Sequence, residues 1–220
     1  MILLFKELAD KIPYPLGVQL VTDDEVGGEN GVKYQLEKGL SSEFVVGGEC
    51  SSQLKINNEA KGIQVIKIKT KGVTAHAAYL WNGENAAVKM AHGIQKLHEL
   101  FPVPDREIWE TTASVIKIET DNHNTINTVP DTCVATVNIR FIPEDKRNIV
   151  ELIKNCFPPD TDVREEFAAP PEYTYEKNHF VSQLKKSIEE ITKQPGEFVR
   201  THAQSDMRYY HALGIPAINL

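Results

Sequence analysis

Three acidic side chains set out the chemistry this sequence offers. Asp24 and Glu25 stand side by side in V-T-D-D-E-V-G-G-E-N-G (21–31), after the apolar run Gly17-Val18-Gln19-Leu20-Val21 and before a glycine-rich turn. Glu49 ends a second run of the same kind, Phe44-Val45-Val46-Gly47-Gly48-Glu49. An α/β enzyme carries its functional groups at the carboxyl ends of its strands. Neighbouring carboxylates point in different directions, so one can bind a metal while the other moves a proton. Two strand ends that each deliver a carboxylate therefore suggest a metal-assisted hydrolase. Either acid alone reads as a solvated turn residue; the two together, with the motifs further along, point to chemistry.

The elements that must position these acids follow from periodicity. Residues 1–60 alternate as helix 1–12, strand 17–22, helix 29–39 and strand 43–47, the βα rhythm of a mainly parallel sheet. Strand patterning takes over at Ile63, where Ile66 and Ile68 alternate with Lys67 and Lys69. A helix over about 84–100 places Ala87, Met90, Ala91, Ile94 and Leu97 on one face. Strands near 109–119 and 128–141 follow, the second with Cys133, Ala135, Val137 and Ile139 on one side. A helix after Pro143 and a strand at 163–167 complete β-α-β-β-α-β, the ferredoxin-like order. Beyond Pro170-Pro171 the βα rhythm returns as helix 179–194, strand 197–201, helix 205–213 and strand 216–220. The expected fold is an α/β catalytic domain, a mainly parallel sheet with flanking helices, interrupted by an inserted α+β ferredoxin-like lid. Its segments are 1–61, the insert 62–168, and 169–220.

Composition narrows the classes. The 220 residues, 41% hydrophobic and 25% charged, are those of a globular chain, and the net charge of -7 argues against nucleic acid as a partner. Cys50, Cys133 and Cys156 form neither a disulfide framework nor a CxxC pair, which suits a reducing cytoplasm. No stretch is long and apolar enough to read as a membrane span, and the first residues carry no secretory pattern. Helical spacing from Ile2 with no cap before it, and a strand still running at Leu220, suggest a chain truncated at both ends.

Five motifs then occur in order: T-D-D-E-V-G-G (22–28), G-G-E-C (47–50), G-V-T-A-H-A-A (72–78) with Asn85-Ala86, N-T-V-P-D (127–131) with Ile139-Arg140, and S-D-M-R (205–208) with G-I-P (214–216). In this the chain resembles the zinc-dependent aminoacylase/carboxypeptidase family, which includes succinyl-diaminopimelate desuccinylase, acetylornithine deacetylase, aminoacylase and glutamate carboxypeptidase. The resemblance covers nearly the whole chain. It implies a zinc-binding catalytic domain with two metals per site, which cobalt or manganese can replace, and a lid that makes a homodimer. Asp24 would be the general base, and Glu25 and Glu49 would each bind one zinc. His76 would reach across the dimer to stabilise the oxyanion in the partner's site. Asn127 and Arg140 would hold the substrate, the guanidinium gripping its carboxylate. Gln204 and Ser205 would belong to the substrate loop. The implied substrate is an N-acyl amino acid or small peptide with a free carboxylate.

Departures from the family pattern qualify this. Asp24 stands where glutamate is usual, one methylene shorter in reach. Thr201-His202-Ala203-Gln204 replaces glycines, and Leu80 stands where proline is common. No His-x-Asp occurs anywhere, although the family's first zinc histidine and bridging aspartate have that spacing. With only two carboxylate ligands, the chain as given is expected to bind zinc weakly and to leave amides intact, a longer parent doing both. Deacylase and dipeptidase or carboxypeptidase activities both stay open. So does a reading from another class, a non-catalytic self-association protein built on the ferredoxin-like insert.

Overall fold

The computed structural model describes residues 2–23, 25, 27–48, 54–121, 125–145 and 147–220. The chain divides into two compact units. The first is assembled from Met1–Ile56, Thr174–Glu197 and Ser205–Leu220, the second from Asn57–Tyr173 and Phe198–Gln204.

The second unit is built on a four-stranded antiparallel sheet. Its strands are β3 (Gly62–Lys71), β5 (Thr112–Thr120), β7 (Thr132–Phe141) and β8 (Asp162–Ala169), in the order β5-β7-β3-β8. With helix α3 (Ala86–Leu100) between β3 and β5, and α4 (Ile149–Lys154) between β7 and β8, this is the expected ferredoxin-like arrangement. Strict alternation explains it: along β7, Cys133, Ala135, Val137 and Ile139 are fully buried while their neighbours are not. The register sets Ile66 opposite Val137 and Ile68 opposite Ala135, so both strands turn the same face to the core. Met90 and Leu97 from α3, Ile149 and Ile153 from α4, and Phe157 cover that face. Each such side chain, once fully buried, contributes about 1.5–3 kcal/mol of transfer free energy. Gly93 is what lets α3 come close, since a Cβ there would lie 2.0 Å from Cδ1 of Phe157.

Three short strands complete this unit: β2 (Ile56–Ala60), β9 (Glu172–Tyr173) and β10 (Phe198–Thr201). β2 pairs antiparallel with β9 and neighbours β10. The run Ile-Asn-Asn-Glu-Ala gives β2 no strand signature, yet most of it is buried. Glu59 tolerates burial because Arg200 Nε lies 2.7 Å from its Oε2. Lys61, almost wholly buried, donates from Nζ to the Glu110 carbonyl at 2.5 Å, and burial lowers its pKa despite the pull of Glu110.

The first unit is more loosely built. Its parallel pair joins β1 (Val45–Gly47) to β11 (Ala217–Asn219). The unit also contains α1 (Ile2–Leu8), a π-helical turn (Glu29–Lys33) running into α2 (Tyr34–Glu37), α5 (His179–Thr192) and α6 (Met207–Ala212). Two expectations change here. Residues 17–22 form no strand: the composition is that of a β segment, but no neighbour supplies a ladder among the described residues. The first helix stops at Leu8 and buries none of its residues, so its apolar spacing does not translate into core packing.

Candidate active site

Two of the five motifs are zipped together in the second unit. β4 (Ala75–His76) pairs antiparallel with β6 (Thr128–Val129), setting His76 opposite Thr128. Ala77 N–H donates to the Asn127 carbonyl at 2.7 Å, Gly72 N–H to that of Asp131 at 2.7 Å, and Ala86 N–H to that of Pro130 at 3.1 Å. The Asn85 side chain caps α3, accepting from Ala87 N–H at 2.9 Å. Thus the lid histidine motif, its Asn-Ala companion and N-T-V-P-D form one connected structure rather than three separate loops.

That structure fixes the histidine. The Ala78 backbone N–H donates to His76 Nδ1 at 3.1 Å, so in the neutral ring the proton sits on Nε2. Nε2 faces the side-chain amide of Asn127, whose Nδ2 lies 3.3 Å away. As placed, Nε2–H and the amide Nδ2 are both donors, and neither satisfies the other. Two exposed polar groups, an imidazole N–H and a primary amide, are therefore held side by side from positions 51 residues apart. Such a pair can donate to one developing oxyanion.

Arg140 is not part of this pair. It lies at the far end of β7, opposite Ile63 on β3 and Thr112 on β5. The His76 loop leaves the other end of the sheet, where Lys71 faces Thr132. Eight residues of strand separate Thr132 from Arg140, about 27 Å at strand rise. Arg140 Nε donates to Asn138 Oδ1 at 3.1 Å, and burial alone lowers its pKa, with no charged partner contributing. A half-buried guanidinium without a carboxylate among the described residues is suited to receive one from a ligand.

A second convergence lies in the first unit. Asp23, just before the paired acids, accepts from Asn30 N–H and Gly31 N–H with Oδ2, both at 2.8 Å, and so caps the helical segment that follows. Glu25 is exposed; Asp24, Glu49 and Cys50 lie outside the described residues. The Gly27 carbonyl accepts from Arg208 Nη2 at 2.7 Å and from Tyr209 OH at 2.5 Å. Gly28 has φ +64° and sits so close to Asp206 that a Cβ would lie 2.0 Å from its Oδ1. The acidic turn and S-D-M-R, some 180 residues apart in sequence, are therefore built as one piece.

The rest of the predicted substrate loop serves structure. Ser205 is buried; its Oγ accepts from Met207 N–H at 3.2 Å and from Asn219 Nδ2 at 2.9 Å. Gln204 Nε2 donates to the Pro170 carbonyl at 2.6 Å, within the second unit. His202 pairs with Glu107 at 3.1 Å and meets the edge of the Trp109 ring.

Comparison with known proteins now adds what geometry cannot. Residues 58–161 match the family model of a peptidase dimerisation domain. A probable carboxypeptidase of Talaromyces marneffei is 28% identical over 152 residues, 63% of this chain and 33% of that protein. The matched domain and the carboxypeptidase relative agree with the aminoacylase/carboxypeptidase resemblance that the five motifs carry. Two solved structures share its fold. Aminopeptidase PepT of Bacillus cereus matches with TM-score 0.74 and 21% identity, over 90% of this chain and 54% of that one. A tripeptidase of Staphylococcus aureus matches with TM-score 0.72 and 20% identity, over 89% and 53%. The chain thus spans about a third of the length of the curated relative and about half of the solved ones.

The resemblance implies a metal centre. Among the described residues no three His, Cys, Asp or Glu side chains lie close enough together to hold an ion. Glu25 alone of the expected ligands is placed, and it cannot by itself make a stable zinc site. No helix among them is long and apolar enough to cross a membrane.

Proposed function

We propose that the protein hydrolyses an amide bond in an N-acyl amino acid or small peptide bearing a free carboxylate, as a zinc-dependent homodimer joined through residues 62–168. The observation that carries this reading is the His76–Asn127 pair, held as two adjacent polar groups at one end of the ferredoxin-like sheet. In the proposed arrangement His76 and Asn127 stabilise the oxyanion, Arg140 takes the substrate carboxylate, Asp24 handles the proton, and Glu25 and Glu49 are metal ligands. Gln204 and Ser205 shape the substrate loop from behind.

The separation of about 27 Å between the His76 end and Arg140 supports the dimer. One substrate cannot touch both groups of a single chain. A two-fold axis that places two such sheets antiparallel brings the His76 end of one protomer to the Arg140 end of the other. Relatives named as probable carboxypeptidase, aminopeptidase and tripeptidase favour a peptide substrate over other N-acyl compounds. Dispersed cysteines, with Cys133 and Cys156 buried and free, fit a reducing cytoplasm.

The test combines turnover with binding. Purified protein, dialysed and then supplied with zinc, is assayed on dipeptides and N-acetyl amino acids for release of free amino groups. Zinc-dependent release is expected where the full ligand set is present; residues 1–220 by themselves, offering two carboxylate ligands, are expected to bind zinc weakly and to leave these substrates intact. Calorimetry should show that N-acetyl amino acids bind while their C-terminal amides do not, and that Arg140→Ala abolishes the difference. Self-association with neither hydrolysis nor carboxylate-dependent binding would instead establish the non-catalytic reading.

A further inference from the structure

The lid histidine is followed by a chain of rings that the catalytic reading does not use. The His76 and Tyr79 ring centroids are 5.7 Å apart at 52°, and Tyr79 meets Trp81 edge-on, also at 5.7 Å and at 81°. These rings do not serve a core: Tyr79 is 53% exposed, Leu80 63%, Trp81 78%, and Ile126, next to Asn127, fully so. Nor is their position accidental. Tyr79 N–H donates to the His76 carbonyl at 2.8 Å, Asn82 N–H to that of Tyr79 at 3.0 Å, and Gly83 N–H to that of Leu80 at 3.2 Å, which winds 80–82 into a 3₁₀ turn. The Val73–Glu84 bridge closes the loop at its base. A folded loop is thus spent on presenting aromatic surface to solvent beside two donor groups, and contiguous exposed apolar surface marks a binding site.

Charge says what kind of ligand fits. Residues 72–83 and 125–129 contain no Asp, Glu, Lys or Arg; His76 is their one titratable side chain besides the Tyr79 phenol. A substrate side chain ending in a carboxylate or an ammonium would find no partner here and would lose hydration. A flat apolar one would meet ring faces and edges. We propose that Tyr79 and Trp81 are specificity-determining residues, forming with Leu80 and Ile126 an apolar wall that selects substrates with a large, preferably aromatic side chain flanking the scissile amide. The inference rests on the reading that His76 and Asn127 address the carbonyl of that amide, since this is what brings the flanking side chain within reach of the rings.

The test compares matched substrates that carry phenylalanine or alanine on either side of the amide, in wild type, Trp81→Ala, Tyr79→Ala and His76→Ala. Trp81→Ala should lower kcat/KM for the phenylalanine substrate about tenfold while changing the alanine substrate less than about twofold, and Trp81→Phe should restore most of the loss. A lysine or glutamate substrate should be turned over no better than the alanine one by wild type. His76→Ala should lower all substrates by a common factor. If it does not, the catalytic reading fails while the preference and its dependence on Trp81 still stand or fall by themselves. If no substrate is turned over, binding of N-acetyl-phenylalanine against N-acetyl-alanine, followed by Trp81 fluorescence in a Trp109→Phe background, decides the matter. Equal loss for both substrates in Trp81→Ala would overturn the proposal. So would equal affinity for both ligands, or loss of self-association with all activity, which would make the rings a subunit contact.

Discussion

The two units of this molecule solve different problems. In the second, β3 and β7 are paired residue for residue over ten positions, and a continuous apolar layer fills the space beneath two helices. In the first, the parallel pair is three residues long, and much of what holds the acidic turn is polar: two donors on the Gly27 carbonyl and a buried Asp206 against Gly28. Long registers with one-sided burial tolerate no slippage and give a rigid support. Short pairings and loop-to-loop hydrogen bonds can hold functional groups at specific positions, at lower local stability. The difference teaches that the turn at Gly27 and Gly28 sits where the fold is thin, and His76 sits on a loop that the thick part braces.

Breaking the thick part should have the largest effect. Val137→Asp places an unpaired charge in a fully buried layer and should unfold the second unit altogether, at a cost of several kcal/mol; circular dichroism would show the loss. Next, His76→Ala should leave the fold intact and lower kcat by about 10²–10³, the range for one oxyanion donor, with KM nearly unchanged. Gly28→Ala should act locally. It forces a left-handed backbone on alanine, about 1–2 kcal/mol, and drives a methyl into Asp206. Hydrogen exchange should rise around 21–31 and 205–209 while β3 and β7 stay protected.

Acid should separate the units more gently. Burial holds the His211 pKa below its ordinary 6.5, against the Ala217 carbonyl that would raise it. The unfolded chain therefore takes up the proton first, and stability should fall as pH drops below about 6.5. In the second unit, hydrogen bonds from Arg147 and Thr111 hold Asp145 far below its ordinary 3.8, against the opposing effect of burial. Its contribution is complete above 3.8 and is lost only as pH falls beneath that. Melts followed at pH 7.5, 5.5 and 3 should thus weaken the first unit before the second, and His211→Asn should remove the earlier change. The smallest effect is expected from Lys67→Ala: its pairing with Glu166 at 3.2 Å is half-exposed on both sides, so melting should barely move.

What the sequence revealed divides along the same line. The alternation in 132–141 and the helical spacing in 86–100 arise from burial on one face, which leaves a periodic trace. β2 left none, because Asn58 and Glu59 are buried polar residues whose partners, Arg200 among them, lie far along the chain. The strand expected at 17–22 had the right composition and no neighbour among the described residues. His76, Asn127 and Arg140 were legible as residues, but their placement was not: antiparallel pairing, not motif spacing, decides that the first two meet and the third stands at the other end. Asp23 was passed over for its neighbours, although an Asp six residues before a helical turn with free N–H groups was a signal. The edge-on contact of Tyr79 with Trp81 left no trace in the sequence, because the 3₁₀ turn between them makes it.

The placement of His76 and Arg140 at opposite ends of one sheet has a consequence for mixtures of defective chains. In the proposed two-fold assembly each site draws its histidine from one protomer and its arginine from the other. A hybrid of His76→Ala and Arg140→Ala subunits therefore contains one site lacking both groups and one lacking neither. Mixed in equal amounts and allowed to exchange, two inactive proteins would recover about a quarter of wild-type activity, so alleles that each abolish function would complement one another in the same cell.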